Sequence, residues 1–292
     1  MVLNLILSIL SSALLFLILK KFKDWNVETV HGILVNYFTA SLLSISFSNI
    51  RLDESLEHIS KIWPYAIGIG LLFIIVFVLT GKTAQLCGMA ASSIASKMSM
   101  VIPISLGVLL YHESFGLQKG IGVALAIPAV ILVGGKPANT GSQKNTNSYW
   151  YLPLLLFLGA GLVDTSIKYA QHHFMKDGNM YLVMSLIFGS AGMFGLLNLI
   201  RDTISNNQGL TFRSIMGGIL LGTVNFCSLY FLINCLNYPK VESSQVFAIV
   251  NIGVVLVSLA LGILVFREKM DRLKSIGVVF AILAILLLAV PF

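Results

Sequence analysis

Tyr111-His112-Glu113-Ser114-Phe115-Gly116-Leu117-Gln118-Lys119-Gly120-Ile121-Gly122 returns in altered form as Phe266-Arg267-Glu268-Lys269-Met270-Asp271-Arg272-Leu273-Lys274-Ser275-Ile276-Gly277. Glu113 aligns with Glu268, Lys119 with Lys274, Ile121 with Ile276 and Gly122 with Gly277, at a constant shift of 155 residues. Each copy closes one apolar run and opens the next. A duplication placed in this way is an internal repeat within a membrane protein, a construction common among transporters.

Composition sets the solvent. Of 292 residues, 57% are apolar and 11% charged, with a mean hydropathy of +0.91. A soluble domain carries about 25% charge, so most of this surface must face lipid or other membrane helices. The net charge of +7 then reads as Lys and Arg on membrane-flanking loops, and no nucleic-acid partner is expected. Cys87, Cys227 and Cys235 lie in or beside apolar runs and read as small packing residues. The chain opens into an apolar run with no charged leader and no small-residue cleavage site, which reads as a retained first span.

A membrane-crossing helix needs about 20 apolar residues. Ten such runs occur, at 2–19, 31–48, 63–81, 88–110, 117–134, 149–170, 179–200, 212–234, 243–265 and 273–291. They are long and lack period-2 alternation, so helices are expected, not strands. The breaks carry turn chemistry, as at Lys20-Lys21-Phe22-Lys23-Asp24 and Lys176-Asp177-Gly178-Asn179. The polar stretch 136–148 separates five spans from five. The expected organisation is a first five-helix repeat over 1–135, a linker over 136–148 and a second five-helix repeat over 149–292.

Ser92-Ser93 and Ser243-Ser244 match at a shift of 151, so the second copy holds about one extra helical turn before its end motif. An odd number of spans per copy forces the copies into opposite orientations. The expected fold is therefore an all-α membrane protein of ten helices, arranged as two inverted five-helix repeats. Loops after odd-numbered spans hold most of the Lys and Arg, including Lys20, Lys21, Lys23, Arg267 and Lys269. By the positive-inside rule those loops face the cytoplasm and both termini face outward.

Charge inside a span marks a functional candidate. Lys97 lies mid-way along the fourth run. At 100° per residue, Ser92, Ser93, Ser96, Lys97, Ser99 and Pro103 share an arc of about 160°, which suits a cavity or a partner helix better than lipid. Lys97 could bind an anionic substrate group, form a structural pair with a buried carboxylate or with carbonyls, or snorkel to an interface. Asp164 and Lys168, spaced i and i+4 in the sixth run, can pair on one face; Asp164 could instead meet Lys97 or carry a coupling proton. Asn251 is the 151-shift counterpart of Met100 on the polar arc. Asn251 and Asn225 are read either as substrate ligands or as interhelical hydrogen-bonders, and Asn36, Tyr37, Ser244 and Gln245 either as secondary cavity candidates or as packing and interhelical bonding residues. Gly189, Gly192 and Gly195, with Gly217, Gly218 and Gly222, are expected to let helices pack closely. Pro103 and Pro128 are expected to kink their helices.

These features together resemble the drug/metabolite transporter superfamily, in particular its EamA-type ten-helix members. The resemblance rests on ten spans, the duplication, the paired helix ends at Glu113 and Glu268, and Ala91-Ser92-Ser93 followed by Pro103. The second copy carries Glu242-Ser243-Ser244 and Glu268 without a proline matching Pro103. The resemblance implies a secondary transporter of the cell (inner or plasma) membrane, with spans 1–4 and 6–9 lining a central site and spans 5 and 10 outside it. It also implies both termini in the cytoplasm, opposite to the charge count.

The function expected is export or import of a small metabolite, an amino acid or organic anion, by alternating access around a midplane cavity, with a proton gradient as candidate driving force. The competing class is an integral-membrane enzyme or a non-transporting receptor or scaffold. No catalytic residue, cofactor or metal is expected, since no metal, phosphate-loop or nucleophile motif occurs. The partners expected are a small-molecule substrate and the lipid bilayer.

Overall fold

The computed structural model describes residues 1–48, 52–111, 116–134, 149–174, 180–206, 209–236, 238 and 243–289. Among them all regular structure is helical: α1 (Val2–Asp24), α2 (Thr29–Ser46), α3 (Leu52–Leu86), α4 (Met89–Met98), α5 (Val101–Tyr111), α6 (Leu117–Gly134), α7 (Tyr151–Phe174), α8 (Met180–Asn206), α9 (Phe212–Leu236), α10 (Ser243–Phe266) and α11 (Arg272–Ala289). Eight stretches of the described chain are long and apolar enough to cross a membrane. The molecule is an all-α membrane protein.

Two expectations are corrected. The break placed at 20–24 is helical, because α1 runs on to Asp24. Phe22 is fully buried there and Lys20 half-buried, so this turn is anchored, not looped out. The chain turns just after, with Asn26 at φ 52° and Val27 N–H donating to Phe22 O at 2.9 Å, the closing bond of a Schellman turn. The fourth span, expected over 88–110 as one helix, is two: α4 and α5 are separated at Ser99-Met100. Pro128, by contrast, lies inside an unbroken α6. The linker 136–148 lies outside the described residues.

The described chain divides into two compact units, and neither is one half of the sequence. The first holds Met1–Lys21, Leu79–Gly161 and Cys227–Phe292; the second holds Phe22–Val78 and Leu162–Phe226.

Within the first unit α6 packs on α11 and α4 on α10. These are helices at corresponding places in the two repeats, and each pair runs antiparallel. A Cβ on Gly122 would lie 2.8 Å from Leu288 Cγ and 3.3 Å from Ala284 O. One on Gly277 would lie 2.6 Å from Val133 Cγ2 and 3.1 Å from Ala129 O. Subtracting 155 from Gly277, Ala284 and Leu288 gives Gly122, Ala129 and Val133, so the contact is reciprocal, as across a two-fold axis. Gln118 Nε2 fastens the same pair by donating to Leu287 O at 3.0 Å.

The second unit repeats the pattern. There α2 packs antiparallel on α8, its repeat counterpart, with Ser41 Oγ donating to Ser185 O at 2.9 Å. Gly189, Gly192 and Gly195 face Ser41, Phe38 and Leu34 in turn. Small residues on α8 therefore set its distance from α2. Antiparallel packing of repeat counterparts is what inverted repeats require.

The α6–α11 contact yields a first prediction. Gly122→Leu and Gly277→Leu should each destabilise by about 1–3 kcal/mol through overpacking. The two losses should be similar, because the two sites are mirror positions of one contact. Thermal unfolding of the purified variants checks this. A loss at one site and none at the other would mean that the two contacts are not equivalent.

Candidate functional site

The break in the fourth span follows from Pro103. A proline at position i cannot donate to the carbonyl at i−4, and its ring clashes with it. Here that carbonyl belongs to Ser99. Its oxygen instead accepts from Ile102 N–H at 2.9 Å, a shorter-range bond that ends one helix and starts the next. Pro103 thereby falls in the first turn of α5, where a missing N–H costs nothing. Ser99 Oγ donates back to Ser96 O at 2.6 Å.

Lys97 stands in the last turn of α4, half-buried, one residue before that helix ends. The carbonyl end of a helix carries partial negative charge that favours a cation. A cation at that position is favoured by the helix end and stands beside the interruption of a membrane helix. Asn251, half-buried on α10, directs its amide Nδ2 to Sδ of Met100, in the break itself, at 3.5 Å. Serines fix the helix that carries Lys97. Ser92 Oγ donates to Thr80 O at 2.9 Å, tying α4 to α3, and Ser93 Oγ donates to Ala90 O at 3.2 Å. Ser92 and Ser93 are fully buried and Ser96 is half-buried. The polar arc is real, but its buried hydroxyls are engaged with backbone carbonyls.

The start of α4 is held differently. Gly88 precedes it at φ 110°, a conformation that L side chains rarely adopt. Gly88 supplies no side-chain cap, and the first turn of α4 holds no acidic residue. The anion comes from the loop after α10. The Glu268 carboxylate accepts Met89 N–H at 2.8 Å and pairs with the Lys20 ammonium from α1. The Lys20 and Lys21 ammonium groups stand 4.4 Å and 5.1 Å from the centre of the Phe266 ring. Gly88 and Gly262 leave room for the carboxylate; a Cβ on either would lie within 3 Å of Glu268 Oε2. The side chains of Lys20 and Glu268 are 11% and 6% exposed, so the pair is largely desolvated. From the sequence Glu268 was only a repeat marker. Its target lies 179 residues away and no local signal names it.

Cys87, beside this junction, donates to Tyr149 O at 3.6 Å. Burial pushes its thiol up to about 11, with the nearby Lys274 ammonium opposing that rise. Cys87 should therefore react with maleimide at pH 7.5 at least about 100-fold more slowly than an ordinary thiol, gaining rate as pH rises. Rapid labelling of folded protein would contradict this burial.

In the second unit Asn36 and Asn225 meet, with Asn225 Nδ2 donating to Asn36 Oδ1 at 3.2 Å. Tyr37 is fully buried among Phe73, Phe77 and Phe188, and its hydroxyl donates to Phe73 O at 2.8 Å. Asn36, Tyr37 and Asn225 are thus hydrogen-bonded between helices, the interhelical one of the two readings their sequence allowed. Asp164 is half-buried and Lys168 exposed on α7, in this unit, while Lys97 belongs to the other. Gln245 is exposed on α10. The side chain of Ser244 lies outside the described residues, as does Glu113.

Comparison with known proteins agrees with this architecture. A solved crystal structure matches 96% of this chain and 97% of its own at a TM-score of 0.56 and 12% identity, which shows a shared fold alone. Solute carrier family 35 member B1 of Xenopus tropicalis is 28% identical over 167 residues, 55% of this chain and 50% of that protein. An uncharacterized protein of Haemophilus influenzae (strain ATCC 51907 / DSM 11121 / KW20 / Rd) is 30% identical over 291 residues, 97% of this chain and 96% of its own. Residues 1–135 match the EamA-like transporter family. With the antiparallel counterparts and the likeness to a solute carrier, these matches show that the chain, an integral protein of the cell membrane, belongs to the EamA-like transporter family of the drug/metabolite transporter superfamily.

Proposed function

We propose that this transporter moves a small metabolite bearing a carboxylate or phosphate, an amino acid or organic anion, by alternating access around a midplane cavity. The observation that carries this reading is the interrupted fourth span with Lys97 at its break. Interrupted membrane helices expose backbone groups and cluster at transport sites. A half-buried ammonium there gives an anion a partner in a region where charge is costly. Asn251, beside the break, offers an amide that can donate to the same anion. The inverted arrangement supplies two nearly equivalent states, so one site can be presented to either side in turn.

The test is a thermal-shift screen of the purified protein against amino acids, organic acids, sugars and nucleotide sugars, run beside Lys97→Ala. Stabilisation of the wild type by acidic solutes, lost in the variant, is the expected result. Stabilisation by neutral sugars alone, equal in both proteins, would reject an anion bound at Lys97.

A further inference from the structure

We propose that Lys274 anchors a site for the phosphate headgroup of an anionic phospholipid, in the first unit, where α10 turns into α11. Lys274 lies in the first turn of α11 and is 6% exposed. Its backbone N–H donates to Asp271 Oδ1 at 2.9 Å, which caps the helix. Its ammonium makes no hydrogen bond and no ion pair among the described residues. A charge taken this far from water is costly unless an anion meets it.

The acidic residues of the turn are already committed. Glu268 accepts Met89 N–H at 2.8 Å and pairs with Lys20 of α1, while Asp271 holds the Lys274 N–H. The shape of the turn explains this division. Arg267 stands at φ 53°, in the left-handed region, and Glu268 N–H donates back to Gly262 O at 3.0 Å. This reversal brings the Glu268 carboxylate against Gly262 and Gly88 and leaves Arg267 and Lys269 exposed. Arg272, the first residue of α11, is exposed as well. Arg267, Lys269, Arg272 and Lys274 therefore stand close together in the chain, and none of them has a carboxylate partner among the described residues.

The surroundings identify the anion as a lipid headgroup. Leu273 and Ile276 are exposed on the same end of α11 as Arg272. On a membrane helix an exposed apolar side chain meets acyl chains. Lys274 also lies near Cys87, whose thiol donates to Tyr149 O at 3.6 Å. Tyr149 leads into Trp150 and Tyr151, both exposed where α7 begins. Exposed Trp and Tyr mark the depth at which headgroups lie. An apolar face, aromatic side chains and unpaired cations at one end of the unit suit a molecule that carries acyl chains below a phosphate. The Lys274 ammonium donates to that phosphate, and the exposed arginines can hold it from the rim. Lys119 takes the place of Lys274 in the first repeat, at the opposite end of the antiparallel α6–α11 pair, and is half-buried. It serves as the control position.

The measurement is the melting temperature of the whole protein in detergent, titrated with phosphatidylglycerol, phosphatidylcholine or inorganic phosphate. Phosphatidylglycerol should raise it saturably, and the other two, at equal concentration, should not. Lys274→Gln should weaken the apparent affinity for phosphatidylglycerol by about tenfold or more. Lys119→Gln should leave it unchanged. Equal stabilisation by inorganic phosphate would make this a site for a free anion and overturn the lipid assignment. An undiminished lipid response in Lys274→Gln, whatever that variant's own melting temperature, would reduce Lys274 to a structural residue and overturn the site. If Lys274→Gln yields no folded protein, the double variant Arg267→Gln with Arg272→Gln decides. It should weaken the response as well, and an unchanged response there overturns the proposal equally. The readout involves no transported solute, so it stands or falls apart from the proposed substrate class.

Discussion

Lys97→Ala should abolish transport and leave a folded protein in the membrane. The side chain is half-buried in the C-terminal turn of α4, where the helix dipole favours a cation. That local interaction is worth about 0.3–1 kcal/mol at a helix end, too little to decide folding. An ammonium donating to a substrate carboxylate contributes about 2–3 kcal/mol, or roughly 30- to 150-fold in binding. The imbalance separates the two roles: function should fall by this larger factor while the melting temperature moves little. Lys97→Arg keeps the charge but not the shape of the head group, and should retain part of the activity. A Lys97→Ala protein that transports normally would remove Lys97 from the site. One that fails to fold would make it structural.

The largest loss of stability is expected from Glu268→Ala. It leaves the Lys20 ammonium 11% exposed with its carboxylate gone, and strips the start of α4 of the anion that accepts Met89 N–H. Breaking a buried ion pair by removing one partner costs about 3–5 kcal/mol. Lys20→Met should cost less, because Glu268 would keep its helix-terminus partner. Exchanging the two charges, Lys20→Glu with Glu268→Lys, tests the helix contribution separately. The pair is restored, but a cation now faces the N-terminus of α4, so stability should stay well below the wild type. Full recovery by the exchange would reduce Glu268 to an ion-pair partner. Folded fraction after graded heating in detergent measures all three. The effect should extend to function, because Glu268 holds the opposite end of the ten-residue helix that carries Lys97.

Much of the architecture is legible in the sequence, for physical reasons. Lipid forces every span to be long and apolar, so hydropathy finds them, and helix bounds such as Leu117–Gly134 match the run 117–134. The 155-residue shift goes further, because duplicated sequence folds into duplicated contacts: Gly122 against Leu288 and Gly277 against Val133 are one contact written twice. The glycines of α8 also read correctly as close-packing positions, since small residues on a membrane helix have few other uses.

The limits lie where chemistry depends on partners remote in sequence. Pro103 announced an irregularity, but the break falls four residues earlier, at the carbonyl it cannot engage. The polar arc on α4 was visible, whereas the engagement of Ser92 with Thr80 was not. Asn36 and Tyr37 read equally as cavity residues or as interhelical bonders, because a buried amide and a buried phenol give the same signal whether they meet a solute or another helix. Asn225 and the Phe73 carbonyl are what they meet.

The most direct test of transport is uptake into liposomes reconstituted with the full-length protein, using the acidic solute that gives the largest thermal shift. Saturable entry above protein-free liposomes, lost in Lys97→Ala vesicles holding the same amount of folded protein, is the expected result. Entry no faster than in protein-free liposomes, for a solute that demonstrably binds, would contradict the assignment of transport to this site.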